Sequence, residues 1–272
     1  MNKVNALIVG LGNVGRGLGA YSNAGNSHLS AIYETKRYTI YGTDILEIKD
    51  SRFTYISWED LLKSDMSFDL VVDCGPSKER MKRLNILNKL FNPKNLLAEK
   101  PIDLDDSCLK TELLKKIRIT YPRRKFDSTN FLKERLKKNS IKNVSINYNN
   151  GVFNTLSHFF DLLSCLGVNF TESYTKHNKT NVSIGDKIHI HKDNSKQDMF
   201  DITIELNNDR KILYSNFGRS IQVDNGRYHH FCELEHRYRK LYSVDNFLDL
   251  PTIESEIKNI SILNKLSKLL ND

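Results

Sequence analysis

The residues of this chain whose types and spacing point most directly to chemistry are Gly10-Leu11-Gly12-Asn13-Val14-Gly15, which follow at once on the apolar run Val4 to Val9. Glycine at 10 permits a tight turn out of a strand. Glycine at 12 lets backbone approach a pyrophosphate, and glycine at 15 lets a helix sit close to its sheet. The opening of that helix offers unpaired N–H groups, those of Asn13 and Val14 among them, to phosphate oxygens. The pattern predicts a dinucleotide site. Asp44, closing the apolar stretch Tyr38 to Thr43, is placed to accept hydrogen bonds from ribose hydroxyls. Its carboxylate, with Glu47 close behind, would repel a 2′-phosphate, so the expected cofactor is NAD, with NADP less favoured. Arg123 and Arg124 follow a predicted strand and offer forked donors suited to a phosphate or carboxylate on a substrate.

The elements that must position these groups alternate over the first half. Strands are expected at Val4–Val9, Tyr38–Thr43, Phe53–Ser57, Phe68–Cys74, Asn95–Ala98 and Ile117–Tyr121. Helices are expected at His28–Arg37, Trp58–Lys63, from an N-cap at Ser77 to Phe91, and from the acidic start Asp103, Asp105, Asp106 to Lys116. That alternation predicts a doubly wound parallel sheet over residues 1–122. Residues 123–272 change character. Helices at Asp127–Lys138 and Thr155–Leu166 are followed by alternating stretches at Lys187–His191, Phe200–Leu206, Lys211–Phe217 and His230–Tyr238, with Asn207-Asn208-Asp209 as a hairpin turn. A closing amphipathic helix, Ile253–Leu270, carries Ile257, Ile260, Leu263, Leu266 and Leu270 on one face.

Composition narrows the function classes. With 272 residues, 39% of them hydrophobic and 10% aromatic, the chain can build two packed cores. No apolar run reaches the roughly 18 residues of a membrane span, and the N-terminus lacks the pattern of a secretory signal. A cytoplasmic protein without a membrane partner is expected. The net charge of +8 is spread over Lys115-Lys116, Arg123-Arg124, Lys137-Lys138 and Arg237 to Lys240 without a nucleic-acid-binding motif. It fits an anionic small molecule better than nucleic acid. Cys74, Cys108, Cys165 and Cys232 lie far apart and read as reduced thiols. His189, His191, His229, His230 and His236 do not converge as metal ligands do, so no metal is expected.

Glu99-Lys100-Pro101, directly after a buried strand, resembles a motif of the Gfo/Idh/MocA oxidoreductases, and the likeness extends along most of the chain. Val71 to Pro76, with Cys74, Gly75 and Pro76, is similar to the family segment that lies along the cofactor. Tyr121-Pro122-Arg123-Arg124 resembles its Tyr-x-Arg-Arg stretch, and Ser157-His158 through Asp161 its second-domain helix. The resemblance implies an N-terminal Rossmann domain and a C-terminal α/β domain on an open, mostly antiparallel sheet. It also implies a substrate site between them and, for some members, a homo-oligomer.

By the same match, Lys100 touches cofactor ribose and substrate oxygen, and His158 is the acid/base. An ammonium suits a developing alkoxide, and an imidazole suits proton transfer near neutral pH. Where the family has Asp, one helical turn before this His, the chain has Asn154, and Asp161 is placed to support the His instead. The activity implied is NAD(P)-dependent interconversion of a secondary alcohol and ketone on a sugar or nucleotide-sugar, in a setting such as surface polysaccharide biosynthesis. The alternative is a dinucleotide-binding sensor or complex subunit derived from the same family.

Overall fold

The structure, a computed structural model, describes residues 3–18, 25–102, 111–137, 139–149, 151–193, 200–215, 220–224, 226–231, 237–243 and 247–271, with backbone alone at 111 and 154. The acidic start at Asp103, Asp105 and Asp106, and Cys108, Cys232 and His236, lie outside those residues. The chain forms two compact units. One comprises Met1–Pro122 with Glu235–Glu256, the other Arg123–Leu234 with Ile257–Asp272.

In the first unit, strands β1 (Val4–Val9), β2 (Tyr38–Thr43), β3 (Thr54–Tyr55), β4 (Leu70–Asp73), β5 (Asn95–Ala98) and β6 (Ile117–Ile119) form one parallel sheet in the order β3-β2-β1-β4-β5-β6. Their near-continuous apolar runs match burial on both faces, and Ala6 to Val9 and Leu70 to Asp73 are all buried. The crossovers carry α1 (His28–Glu34), α2 (Trp58–Lys63), α3 (Arg80–Phe91) and α4 (Thr111–Lys116). A reciprocal box starts α1: Ser30 N donates to Ser27 Oγ and Ser27 N to Ser30 Oγ, both at 3.2 Å. Ser77 is not the cap of α3. Arg80 N donates to Ser77 O in a tight turn, and the helix opens after Glu79, whose φ is 60°. The strand order reverses direction between β1 and β4, where open α/β sheets hold ligands at their carboxyl ends.

The second unit holds α5 (Asp127–Leu136), β7 (Ile141–Tyr148), α6 (Ser157–Cys165), β8 (Tyr174–Lys176), β9 (Asn181–Ile184), β10 (Ile188–Lys192), β11 (Phe200–Leu206), β12 (Lys211–Ser215), β13 (Ser220–Val223) and β14 (Tyr228–His230). The sheet runs β14-β13-β12-β11-β7-β10-β9-β8 and is antiparallel except where β10 lies parallel to β7. Along β11 burial alternates, with Phe200, Ile202, Ile204 and Leu206 turned inward onto a core shared with Phe159, Phe160 and Leu163 of α6.

The stretch 230–238 is not one strand. β14 ends at His230, and by Tyr238 the chain has returned to the first unit, where α7 (Arg239–Ser243) follows. The closing helix α8 (Ile253–Leu270) buries Ile260, Leu263, Leu266 and Leu270 but leaves Ile257 38% exposed, because Ile253, Glu256 and Asn259 take the inward positions of its first turns. No described helix is long and apolar enough to cross a membrane.

Candidate functional site

The glycine turn leaves β1 between its two neighbours. Gly10 N donates to Thr43 O (2.9 Å) and Cys74 N to Val9 O (2.7 Å). Gly10 has φ +86°, and a Cβ there would stand 2.5 Å from Gly75 N. A Cβ on Gly15 would stand 2.0 Å from Gly10 O, whereas one on Gly12 would meet nothing within 4 Å. Two glycines are thus required by close backbone, and the third borders open space. Asn13 and Val14 open a single wide turn, Asn13–Gly17, whose first N–H groups have no partner inside it. The turn is only five residues long.

Asp44 stands beside it. Its Oδ2 accepts from Leu11 N (2.6 Å) and its Oδ1 from Ile45 N (2.7 Å), fixing the half-buried carboxylate at the carboxyl end of β2. An open glycine cradle with an anchored carboxylate next to it fits the phosphates and ribose of a dinucleotide.

The turns after β4 and β5 are bound to each other by Arg80, which is 3% exposed. Its guanidinium donates to Glu99 O (2.6 Å), Pro101 O and Gly75 O. The Lys100–Pro101 peptide is cis. Asp73, fully buried, receives Arg83 at 3.0 Å on each oxygen and also accepts from Gly75 N. Cys74, Gly75, Pro76, Glu99 and Lys100 are therefore held in one set of turns by two arginines. Desolvation pushes the Cys74 thiol well above its ordinary range, and the Glu99 and Asp73 carboxylates push it further, so it stays protonated.

Glu99 itself is a buried acceptor. Its Oε1 takes Thr120 Oγ1 (2.6 Å), Tyr238 OH (2.8 Å) and His28 Nε2 (2.9 Å). Burial raises its pKa, but these bonds outweigh it and lower the value to about 2.

In the second unit, four of the expected residues meet at the start of α6. Arg124 Nε donates to Asp161 Oδ1 (2.7 Å), an ion pair in which Asp161 is 1% exposed on its side chain. The Arg123 guanidinium lies 4.4 Å over the Phe200 ring, and Phe200 stacks on Phe159 at 3.8 Å. The half-buried His158 ring stands edge-on to the same Phe200, 6.4 Å between centroids. Asn154 lies in the wide turn Val152–Leu156 just before α6, and its side chain is outside the described atoms.

Sequence reasoning missed Asp73, Arg80, Arg83, His28, Tyr238 and Tyr242. One signal was present. Arg80 precedes Leu84 and Leu87 at helical spacing, so a charge sits on the apolar stripe of α3. For Tyr238 and Tyr242 no spacing tied them to Glu99. Among the described residues no group of His, Cys, Asp and Glu side chains converges as a metal site.

No protein-family model matches the chain, and no curated protein sequence does. Solved structures match in fold. The MviM dehydrogenase of Clostridium difficile superposes with a TM-score of 0.71 at 14% identity, covering 98% of this chain and 99% of that one. The WlbA dehydrogenase of Bordetella pertussis, solved with NADH and UDP-GlcNAcA, gives 0.69 at 14% identity over 100% and 96%. A myo-inositol dehydrogenase of Corynebacterium glutamicum gives 0.64 at 13% identity over 99% and 97%.

Proposed function

We propose that this chain, which has the two-domain α/β fold of the Gfo/Idh/MocA-type dehydrogenases, is an NAD-dependent oxidoreductase that interconverts a secondary alcohol and a ketone on a sugar or nucleotide-sugar. The observation that carries this reading is the open space at Gly12 beside the anchored Asp44, in a turn where Gly10 and Gly15 have no room for a side chain. The neighbouring proteins add support, since one is a myo-inositol dehydrogenase and another, the WlbA dehydrogenase, was solved with NADH and UDP-GlcNAcA.

Each residue has a task in this reading. The backbone N–H groups of Asn13 and Val14 receive the diphosphate. Asp44 accepts from the adenosine ribose and disfavours a 2′-phosphate, which selects NAD over NADP. A nicotinamide dinucleotide, when bound, supplies or accepts the hydride. In the oxidising direction the substrate carbon loses its hydrogen with the C–H electron pair while the hydroxyl proton passes to the His158 imidazole. The Lys100 ammonium stabilises the oxygen as negative charge develops on it. The buried pair Arg124–Asp161 fixes the helix that carries His158. An anionic substrate group is the fitting partner for the basic chain.

The test pairs binding with turnover. NADH should bind with a rise in fluorescence and in Tm, and more tightly than NADPH. NAD reduction with a panel of sugars and nucleotide-sugars should then identify a substrate. His158→Ala should keep NADH affinity and lose roughly a hundredfold or more in kcat, the usual scale of acid–base catalysis. A chain that binds NADH but turns over nothing in the panel would favour a sensor or subunit role. A chain that binds neither dinucleotide would end the reading.

A further inference from the structure

Next to Lys100 lies a polar cluster for which the proposed chemistry has no use. Glu99 Oε1 receives Thr120, Tyr238 and His28, and the His28 Nδ1 meets Tyr242 OH at 2.5 Å. None of the five residues is more than 8% exposed. A carboxylate can only accept, so Nε2 of His28 carries the proton it gives to Glu99, while Nδ1 and the Tyr242 hydroxyl share the second bond of the ring. Four separate stretches supply the cluster: α1, the turn after β5, the residue after β6, and the returning segment 235–256.

The bonds that hold Glu99 also stabilise the fold, but stability alone does not call for a carboxylate in this place. Taking a carboxylate out of water costs several kcal/mol, and well-packed apolar side chains often do as well or better in the same volume. What distinguishes the place is its neighbour in sequence. Glu99 is bonded through its side chain on one side, and Arg80 grips the carbonyls of Glu99 and Pro101 on the other. The residues on both flanks of Lys100 are therefore held by buried polar groups, Glu99 by side chain and carbonyl and Pro101 by its carbonyl, and the Tyr238 hydroxyl on the Glu99 side chain comes from the far end of the chain.

We propose that Tyr238 and Tyr242, acting through Glu99 and His28, are positioning residues for Lys100, which makes the returning segment a working part of the dinucleotide site. The inference rests on the role given to Lys100 above. The geometry predicts that removing one hydroxyl from this cluster disturbs ligand binding only by way of Lys100.

The experiment is a double-mutant cycle on NADH affinity, read by fluorescence titration of the full chain. Its members are the wild type, Tyr238→Phe, Lys100→Met and the double variant, each checked for Tm. Tyr238→Phe should weaken NADH roughly three- to tenfold, and the double variant should bind no worse than Lys100→Met, since contacts in one network are not additive. Tyr242→Phe should show the same dependence on Lys100, and it carries the test if Tyr238→Phe does not fold. Additive losses, or unchanged NADH affinity in both tyrosine variants, would overturn the positioning role and leave the dinucleotide reading intact. A folded wild type that does not bind NADH would overturn both.

Discussion

Glu99 shows how a single buried carboxylate sets a pH dependence. Burial alone would raise its pKa, yet the His28, Thr120 and Tyr238 bonds bring it from 4.5 down to about 2. The folded value lies below the unfolded one, so its contribution to stability is complete above pH 4.5 and is lost as pH falls through the folded value near 2. A gap of roughly two and a half units corresponds to about 3 kcal/mol. Urea unfolding of the wild type should therefore weaken between those pH values, and Glu99→Gln should flatten that part of the profile. An identical acid slope in the variant would show that other groups carry it. At this scale the sequence was legible where a residue does its work through backbone. Gly10, Gly12 and Gly15 declare themselves by spacing, whereas Thr120, His28 and Tyr238, the partners of Glu99, lie 21, 71 and 139 positions away and leave no local trace.

Elements differ in how much of their role a glycine reveals. Gly10 holds a left-handed φ and faces Gly75 backbone, so Gly10→Ala meets both strain and a clash. It should lose roughly 2 kcal/mol or more of stability. Gly12 has an extended backbone, φ −77°, and open space beside it, so Gly12→Ala should leave Tm almost unchanged while weakening NADH, because the added methyl stands where phosphate must come. Parallel Tm and NADH titrations separate the two effects. A Gly12→Ala protein that melts far below the wild type, or that binds NADH equally well, would count against the cradle. The long elements were readable for a plain physical reason. β1, β2, β11 and α8, of six residues or more, occur where the apolar pattern is sustained over enough residues to exclude other periods. β8, β9 and β13, of three or four residues each, were not, since stretches as short as Tyr174–Lys176 and Asn181–Ile184 hold too few apolar positions to fix a period and are set by cross-strand pairing.

The whole molecule adds a constraint that no element shows. Its fold class was legible because alternating strands and helices permit few topologies, and the order β3-β2-β1-β4-β5-β6 is one of them. The return of Glu235–Glu256 to the first unit was not, because α7 is too short for its period to register. Yet that segment gives the first unit's core Tyr238, Leu241, Tyr242, Phe247 and Leu250, all at most 4% exposed, packed with Leu29, Ile32, Ile40 and Val72. Burying side chains of this size contributes roughly 1.5–3 kcal/mol each, a sum comparable with the whole stability of an ordinary domain. A fragment ending at residue 122 would expose the surface they cover and leave His28 and Glu99 without the two tyrosine hydroxyls. It should show no cooperative melt by circular dichroism. A cooperative transition near that of the intact protein would mean that the returning segment decorates the first unit instead of completing it.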